Sequence, residues 1–480
     1  MSLETVIGLE VHAELKSKTK IFCSCSTEFG KEPNYNTCPI CLGLPGTLPV
    51  LNEKVVALAI KAGKAFNCEI NKLNKMDRKN YFYPDLPKAY QTSQFDSPIC
   101  SGGYVEIDIN GVTKKIRLNR IHIEEDAGKL VHVDEDNVSL IDYNRVGVPL
   151  IEMVSEPDLR SAEEAVNFFK TIKSILQHAD ISDCRMQEGS LRCDANISIR
   201  EAGTDVLNTK VEMKNIGSFK ELQKALEKEG KRQIELYTYG EEYKIKQETR
   251  RWDNGKGKTV SMRSKEDAHD YRYFPEPDLV PIIITEDQIK EIQSSLPEMP
   301  KTKKARFIEV YGLPEKEVEI IIDNKMLSDL FEDTIKLGAK AKSVTNWLLG
   351  DFLRLIKEDL DDAEIKITSK ALYELITLIE EGKISKTVGR EVFEEIFNTG
   401  ASASDVVKAK GLTQISDTSE IEKIISDVLD ANPQSIADFA AGKAQAAGFL
   451  MGQIMKASKG SANPGVAKEL LQNQLKSRCN

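Results

Sequence analysis

The sequence predicts an α+β protein, with an antiparallel sheet in roughly the first 290 residues and helices alone after it. Every second residue of segment 191–199 is apolar, which is the pattern of a strand with one buried face. From residue 287 onwards, apolar residues recur at helical spacing and aromatic residues become few. A part built from strands followed by a purely helical part is typical of this fold class.

Two helices are expected among the strands. One runs from about Ser161 to Ala179 and the other from Ser218 to about Tyr237, and in each the serine is followed three residues later by a glutamate. That spacing has the form of a capping box at a helix N-terminus. An antiparallel sheet with alternating strands packs one face on helices and leaves the other open. Functional side chains are therefore expected on the open face.

The second part is predicted to consist of short amphipathic helices joined by turns. These helices span 287–296, 300–311, 315–322, 324–337, 341–357, 368–381, 385–398, 403–410, 419–431, 432–441, 445–456 and 465–475. A chain of 480 residues is long enough for two to four domains. We predict a sheet-based domain over residues 1–292, a helical domain over 293–405 and a helical tail domain over 406–480.

Composition limits the class of function. The formal net charge of −10 argues against a protein that coats nucleic acid nonspecifically, because such binding needs a broad positive surface. Residues 439–480 nevertheless hold six basic residues and one acidic residue, which fits either a solvated helical face or a local RNA contact. We expect a cytoplasmic protein without a membrane segment, because no signal peptide, long apolar run or disulfide framework is visible.

Four cysteines near the start of the chain form two close pairs, Cys23 with Cys25 and Cys38 with Cys41. Soft thiolates at this spacing can close a tetrahedral zinc site, with residues 26–37 folding back as a loop. Four thiolates leave no coordination position for water, so the expected role of the zinc is structural. The alternative is a set of four unrelated buried cysteines.

Acidic residues on one early strand suggest a second kind of metal site. Alternation along segment 6–15 places Glu10, His12 and Glu14 on one strand face. Neighbours on such a face lie about 7 Å apart, so two of them can converge on a hard cation. A solvated strand face is the alternative interpretation.

Further isolated acids strengthen the expectation of a magnesium site built from several strands. Glu152 and Glu212 each interrupt an apolar run, where an unpaired carboxylate would be costly to bury. Three consecutive acids, 124–126, stand at the end of another predicted strand. Each observation alone is weak, and together they predict a site for magnesium.

Basic and aromatic residues are interleaved in segment 77–90. Such a loop could grip phosphates through Arg78, Lys79 and Lys88 while its rings stack on a base, although a Tyr-rich turn at a sheet edge would look the same. The sequence 255–259 lacks the first glycine of a phosphate-binding loop, so any ATP must be held in another way. No hydrolase nucleophile motif is visible, so the chain shows no means of hydrolysing an amide.

At these residues the sequence resembles the GatB/GatE family of aspartyl/glutamyl-tRNA(Asn/Gln) amidotransferase subunits. The resemblance runs nearly end to end and is most specific at the cysteine quartet and at segments 8–15, 77–91, 122–129 and 187–192. It implies a catalytic domain similar to glutamine synthetase, followed by a helical domain and a tail similar to small tRNA-associated proteins.

The resemblance also implies a reaction and its participants. ATP would phosphorylate the side-chain carboxylate of Glu-tRNA(Gln) or Asp-tRNA(Asn), and ammonia would displace the phosphate. Ammonia would come from glutamine hydrolysed by a separate amidase (glutaminase) subunit of the A type and pass through an internal channel. A small third subunit, of the C type, would stabilise the pair. The expected cofactors are ATP, Mg²⁺ and a structural Zn²⁺.

Site residues are assigned on the same basis. The expected zinc ligands are Cys23, Cys25, Cys38 and Cys41, and the expected magnesium ligands are Glu10, His12, Glu125 and Glu152, with Glu124, Glu188 and Glu212 as substitutes. Lys79 and Arg192 are expected to contact phosphate, while Tyr81 and Tyr83 flank the tRNA end. His12 is an unusual magnesium ligand and could instead bind by a hydrogen bond.

Two rival functions fit parts of the same sequence. One is a non-catalytic RNA-binding module that uses the cysteine loop and the basic tail. The other is a self-sufficient ligase that takes free amino acid and ammonia. Only the ligase would turn over free glutamate without tRNA, and only the RNA-binding module would tolerate the loss of Glu152.

Overall fold

The computed structural model describes residues 2–133, 138–264, 270–356, 365–412, 418–441, 443–458, 462 and 464–479. The chain divides into two compact units, Met1–Lys303 and Lys304–Asn480. All of the described strands lie in the first unit, and the described part of the second unit is helical. The prediction of a sheet-based part followed by a helical part is therefore confirmed, whereas the domain limits at 292/293 and 405/406 stay predictions.

The strands are short except for those that build the centre of the main sheet. They are β1 (Leu3–Glu14), β2 (Glu69–Ile70), β3 (Leu73–Asn74), β4 (Asp77–Asn80), β5 (Tyr90–Ser93), β6 (Cys100–Ser101), β7 (Tyr104–Ile109), β8 (Val112–Glu125), β9 (Lys129–Val133), β10 (Val138–Asp142), β11 (Pro149–Ser155), β12 (Leu191–Glu201), β13 (Val211–Ile216), β14 (Glu248–Asp253), β15 (Lys258–Ser264), β16 (Phe274–Pro275) and β17 (Ile282–Ile283).

The helices follow the same order. They are α1 (Glu53–Ala65), α2 (Ala162–His178), α3 (Phe219–Thr238), α4 (Glu286–Ser294), α5 (Pro300–Tyr311), α6 (Glu315–Ile322), α7 (Lys325–Lys336), α8 (Ala341–Asn346), α9 (Leu353–Leu355), α10 (Ser369–Glu380), α11 (Lys386–Thr399), α12 (Ala403–Lys410), α13 (Thr418–Ala431), α14 (Pro433–Ala440), α15 (Ala444–Ala457) and α16 (Pro464–Cys479), with a 3-10 turn at Glu242–Lys244 and a π-helical segment at Trp347–Phe352. None of the described helices is both long and apolar enough to cross a membrane.

The main sheet has the strand order β15-β14-β13-β12-β1-β11-β8-β6-β2, with β7 also paired to β8. Its pairs are antiparallel except β13 with β14, which run parallel. The expectation of a purely antiparallel sheet was therefore wrong at this pair, and the sheet is mixed. The physical reason is the connection between β13 and β14. It contains α3 and the 3-10 turn, and two parallel neighbours need such a crossover, because the chain must return to the end of the sheet where the first strand began. Smaller sheets are β9 with β10, β4 between β5 and β16, and β3 with β17.

The alternation predicted for β1 is confirmed. Ile7, Leu9, Val11, Ala13 and Leu15 are all buried in the core of the first unit. Helices α2 and α3 contribute apolar side chains to the same core, so they cover this face of the sheet. The opposite face carries the polar residues of the central strands, which positions them for function.

The serine N-caps of two helices in the first unit were predicted correctly, whereas the glutamate of each expected capping box accepts from the residue before the serine, Arg160 or Gly217. The Ser161 hydroxyl accepts a hydrogen bond from the Glu164 N–H and starts α2, and the Ser218 hydroxyl accepts one from the Glu221 N–H and starts α3. In the second unit the helix predicted over 341–357 is interrupted by the π-helical segment, and its final residue lies outside the described part of the chain. Two separate cores, one over α5–α12 and one over α13–α16, stabilise this unit.

Candidate active site

A row of polar side chains crosses the four central strands on the open face of the sheet. The register pairs Arg192 of β12 with His12 of β1, His12 with Glu152 of β11, and Glu152 with His122 of β8. These residues alternate with buried apolar neighbours, which fixes the face they occupy. Antiparallel pairing thus brings together four side chains that are far apart in the sequence.

Three of the candidate metal ligands converge beside this row. One ligand atom each from His12, Glu124 and Glu152 lies within 4.8 Å of the others. His12 Nε2 is 3.6 Å from Glu152 Oε2, and His122 Nε2 is 3.0 Å from both Glu124 Oε1 and Glu152 Oε2. Two carboxylates suit a hard cation such as Mg²⁺, and the imidazole widens the choice towards Mn²⁺. The donor set therefore fits a divalent cation.

The electrostatics favour ionised carboxylates at this position. Burial opposes protonation of His122, but Glu152 and Glu124 outweigh it and raise the pKa of His122 to about 9. Burial also opposes ionisation of Glu152, yet His122 and His12 hold the pKa of that carboxyl well below its usual range. Two anionic groups are consequently available to a cation.

Glu125 does not join this group. It follows Glu124 on β8 and so projects from the opposite side of the strand. Its Oε1 accepts hydrogen bonds from Lys88 Nζ at 2.5 Å and from the Thr92 N–H at 2.8 Å. The structure places Glu124, the expected substitute, with His12 and Glu152, and it gives Glu125 a lysine partner instead.

The other predicted magnesium ligands lie outside the three-residue group. Glu10 accepts a hydrogen bond from Asn196 Nδ2 at 2.9 Å, and burial together with nearby Glu152 raises the pKa of Glu10. Glu212 accepts one from the Thr249 hydroxyl at 2.8 Å. Glu188 is 2.8 Å from Arg185 and lines a different cavity from Glu10. All of these magnesium assignments remain predictions.

Lys79 lies near the candidate metal ligands within a group of aromatic rings. Its Nζ is 5.0 Å from the centre of the Tyr271 ring, and the Tyr81 and Tyr271 rings meet edge-on at 5.7 Å. Burial opposes the charge of Lys79, but Glu124 and the neighbouring phenols raise its pKa overall. Lys79 therefore stays a cation beside the acids. The predicted tRNA contact Tyr83 is 54% exposed.

Arg192, the second expected phosphate contact, is held by an acid. Its Nη2 lies 2.6 Å from Asp126 Oδ2, and Arg145 Nε lies 3.6 Å from the same oxygen. Among the described residues, the buried Arg192 Nε has no hydrogen-bond partner. Burial and the charge of Asp126 raise the pKa of the adjacent Glu14 to about 8. The Nη2 of Arg192 is thus held by Asp126, while its buried Nε–H has no acceptor among the described residues.

Sequence reasoning missed three residues of this site. His122 carried a usable signal, because it alternates with Ile121 and Ile123, which are both fully buried. Tyr271 and Tyr273 lie just before β16, outside any described strand, so strand alternation gives no signal for them. Pairing of β16 with β4 brings them to Lys79, and only the tertiary structure shows this contact.

The cysteine quartet forms a separate cluster in which one Sγ from each residue lies within 4.8 Å of the others. The Cys38 N–H donates to Cys41 Sγ at 3.1 Å, which shapes the second pair as a knuckle. A hydrogen bond from Cys23 lowers the pKa of Cys41 to about 5, and the fully buried Lys20 Nζ lies 3.7 Å from Cys41 Sγ. Four sulfur donors with a cation nearby fit a tetrathiolate zinc site.

The basic residues of the tail are partly engaged. Lys443 Nζ lies 2.9 Å from Asp438 Oδ1, and Arg478 forms an ion pair with Asp430. Lys459 lies outside the described residues. An RNA contact at the tail therefore stays a prediction.

Comparison with known proteins gives consistent matches. The family described as "GatB/GatE catalytic domain" matches residues 5–290, and the one described as "GatB domain" matches residues 329–475. A relative from Clostridium acetobutylicum, named as the second B-type subunit of the aspartyl/glutamyl-tRNA(Asn/Gln) amidotransferase, is 62% identical over 99% of this chain and 100% of its own. The B-type subunits from Clostridium beijerinckii and Thermoanaerobacter pseudethanolicus are 64% and 55% identical, each over 99% of this chain and at least 99% of its own.

Proposed function

Because the chain belongs to the GatB/GatE family of amidotransferase subunits, we propose that it is the ATP-dependent transamidase subunit of a tRNA-dependent amidotransferase. Its substrates would be Glu-tRNA(Gln), Asp-tRNA(Asn) or both, and it would be a carbon–nitrogen ligase with glutamine as amido donor. The convergence of His12, Glu124 and Glu152 beside Lys79 is the observation that carries the proposal.

The chemistry requires charge neutralisation more than covalent help. A side-chain carboxylate oxygen of the substrate attacks the γ-phosphorus of ATP, and ADP leaves with the bridging oxygen. Ammonia then attacks the acyl carbon, inorganic phosphate leaves, and a proton is lost to give the amide. Mg²⁺ held by Glu124, Glu152 and His12 would neutralise the phosphate charge.

Two cations of the chain would act on the same intermediate. Lys79 Nζ keeps its charge beside Glu124 and can contact the transferred phosphoryl group. Arg192 of the neighbouring strand β12 is held by Asp126 through Nη2, and its unpaired Nε–H would donate to the phosphoryl group. Tyr81 and Tyr83 would flank the acceptor end of the tRNA by stacking.

The wider assembly follows from the proposed reaction. The names of the relatives, which identify each as one of several subunits, support a multi-subunit complex. We propose two protein partners, the A-type amidase (glutaminase) subunit that releases ammonia into an internal channel, together with the small C-type subunit. The mixed sheet with one helix-covered face supports a glutamine synthetase-like catalytic domain, and the cysteine quartet supports a structural zinc.

The decisive experiment supplies misacylated tRNA, ATP and either ammonium or glutamine to the purified complex. We expect amide formation with both donors in the wild-type complex, and with ammonium alone when the amidase is inactivated. Glu152→Gln should abolish amidation and keep tRNA binding, whereas Glu156→Gln, a nearby carboxylate outside the metal group, should keep both. Failure of the wild-type complex with ammonium would end the proposal.

Two other results would favour a rival function. Full amidation by Glu152→Gln would support a non-catalytic RNA-binding role. Phosphate release from ATP with free glutamate and no tRNA would support a self-sufficient ligase. Truncation after Phe439 should weaken tRNA binding more than ATP binding if the tail contacts RNA.

A further inference from the structure

Lys20 is a fully buried lysine that the proposed reaction does not use. Its Nζ donates a hydrogen bond of 2.6 Å to the Asn36 carbonyl and one of 3.4 Å to the Tyr143 carbonyl. The third neighbour of this nitrogen is Cys41 Sγ, at 3.7 Å. Two separate segments of the chain therefore hold the ammonium group against the cysteine quartet.

A buried ammonium group needs a neighbouring anion, because removal from water penalises the charged form. In the described part of the chain no carboxylate forms an ion pair with Lys20. Glu125 borders the same cavity as Lys20, but this carboxylate is paired with Lys88. The two carbonyl acceptors are neutral. Among the groups that Lys20 Nζ contacts, the sulfur of Cys41 is therefore the one that can carry the opposite charge.

A quartet that holds zinc would supply this negative charge. Zn²⁺ with four thiolate ligands carries two net negative charges, and a buried anion is as costly as a buried cation unless it is paired. The ammonium group of Lys20 would cancel one of the two charges. A hydrogen bond to a metal-bound sulfur also stabilises the charge on that sulfur. Burial of Lys20 and closure of the quartet around a metal therefore favour each other.

We propose that Lys20 is the buried counter-ion of the tetrathiolate site, and that its charge strengthens zinc binding by the four cysteines. The inference rests on the structural zinc proposed above and adds a residue that does not itself touch the metal. Because metal binding converts the cysteines to thiolates, a cation beside Cys41 stabilises the loaded quartet more than the empty one. Lys20 thus sets the affinity of the site from outside its ligand set.

Lys20→Met tests the charge, because it removes the ammonium group and keeps an unbranched side chain of similar length. Competition of the purified complex with a chromogenic zinc chelator should show at least tenfold weaker zinc binding than in wild type. Lys18→Met is the matched control. Lys18 lies two residues away and is exposed, so water and salt screen its charge. The zinc affinity of this control should stay within twofold of wild type.

Replacement of zinc by iron gives a measurement that a merely structural role of Lys20 would not change. A ferrous tetrathiolate carries one more negative charge than a ferric one, so a nearby cation favours the reduced form. Lys20→Met should therefore lower the reduction potential of the iron-substituted complex by about 59 mV or more, which is a tenfold shift for one electron. Lys20→Gln keeps N–H donors for the two carbonyls but has no charge. It should lower the potential as well, and it replaces Lys20→Met if that variant does not fold.

The outcomes separate this inference from the proposed function. Wild-type zinc affinity in a folded Lys20→Met complex would overturn the role of Lys20 as counter-ion. A wild-type reduction potential in Lys20→Gln would also overturn it, because hydrogen bonds rather than charge would then be what matters. If the wild-type complex bound no zinc, the structural zinc and this inference would fail together, and the ATP-dependent transamidation would stand.

Discussion

Glu124 and Glu125 are adjacent on β8, yet their carboxylates have different partners: Glu124 Oε1 lies 3.0 Å from His122 Nε2, and Glu125 Oε1 lies 2.5 Å from Lys88 Nζ. The pleat of a strand sends successive side chains to opposite sides. A pair of identical residues therefore contributes one group to the candidate metal site and one to a separate ion pair. The two can be distinguished experimentally.

Glu124→Gln should weaken binding of a divalent cation at least tenfold, because it removes one of two anionic ligands. Glu125→Gln is the matched control and should change that affinity less than threefold. Titration of Mn²⁺ into the purified complex, followed by electron paramagnetic resonance, measures both. Equal losses in the two variants would contradict the placement of Glu124.

Cys41→Ser should remove bound zinc and destabilise the first unit by several kcal/mol, since metal binding by a closed tetrathiolate contributes directly to folding. Elemental analysis and thermal unfolding report the two effects. Cys68→Ser changes a buried cysteine outside the quartet, so this variant should retain the zinc bound by the quartet. Assembly and stability should fail before phosphoryl transfer does, and normal stability with no zinc would refute the structural role.

Gly43→Ala should destabilise the protein and displace Lys88. Gly43 has a φ of +65°, and an added Cβ would lie only 2.4 Å from Lys88 Cγ. Gly46→Ala is the matched control, because Gly46 has a φ of +86° but no atom within 4 Å of an added Cβ. Backbone strain should lower the free energy of unfolding of both variants by about 1–2 kcal/mol. Urea unfolding should show a larger loss for Gly43→Ala, because only this variant also displaces Lys88. Equal losses would mean that Lys88 moves aside at no cost.

Because of the ion pair between Arg78 and Glu276, the protein should lose stability as the pH becomes acidic. The Glu276 side chain is 1% exposed, and both its oxygens lie 2.7 Å from Arg78 nitrogens. Burial opposes ionisation of Glu276, but the hydrogen bonds from Arg78 lower its pKa overall. Its stabilisation is therefore complete above the unfolded pKa, about 4.3, and is lost as pH falls through the lower folded pKa.

Glu276→Gln should lower the free energy of unfolding by about 1.5–3 kcal/mol at pH 7. The difference from wild type should shrink as pH falls below about 4. Urea unfolding at several pH values measures it. Glu286→Gln, which removes an exposed pair with Lys72, should change stability little at any pH. A difference that stayed constant down to pH 2 would refute the assignment.

Local features of this protein follow from its sequence alone. Alternation identified the buried face of β1 and the polar face with Glu10 and His12, and the serine caps located α2 and α3, because period and capping are properties of short segments. The paired spacing also predicted that the four cysteines lie together, as they do in the structure. These features depend on neighbours within one element or one loop.

Contacts between distant groups, by contrast, are set by how the whole chain folds. Strand register paired Glu152 with His12 on one side and with His122 on the other, and alternation along β8 placed Glu124 beside His12 and Glu152. The helical crossover made β13 and β14 parallel. Pairing of β16 with β4 brought Tyr271, which precedes β16, to Lys79. Register is a property of two chain segments packed on a common core, and a slip of one residue would reverse every side chain, so no single segment specifies it.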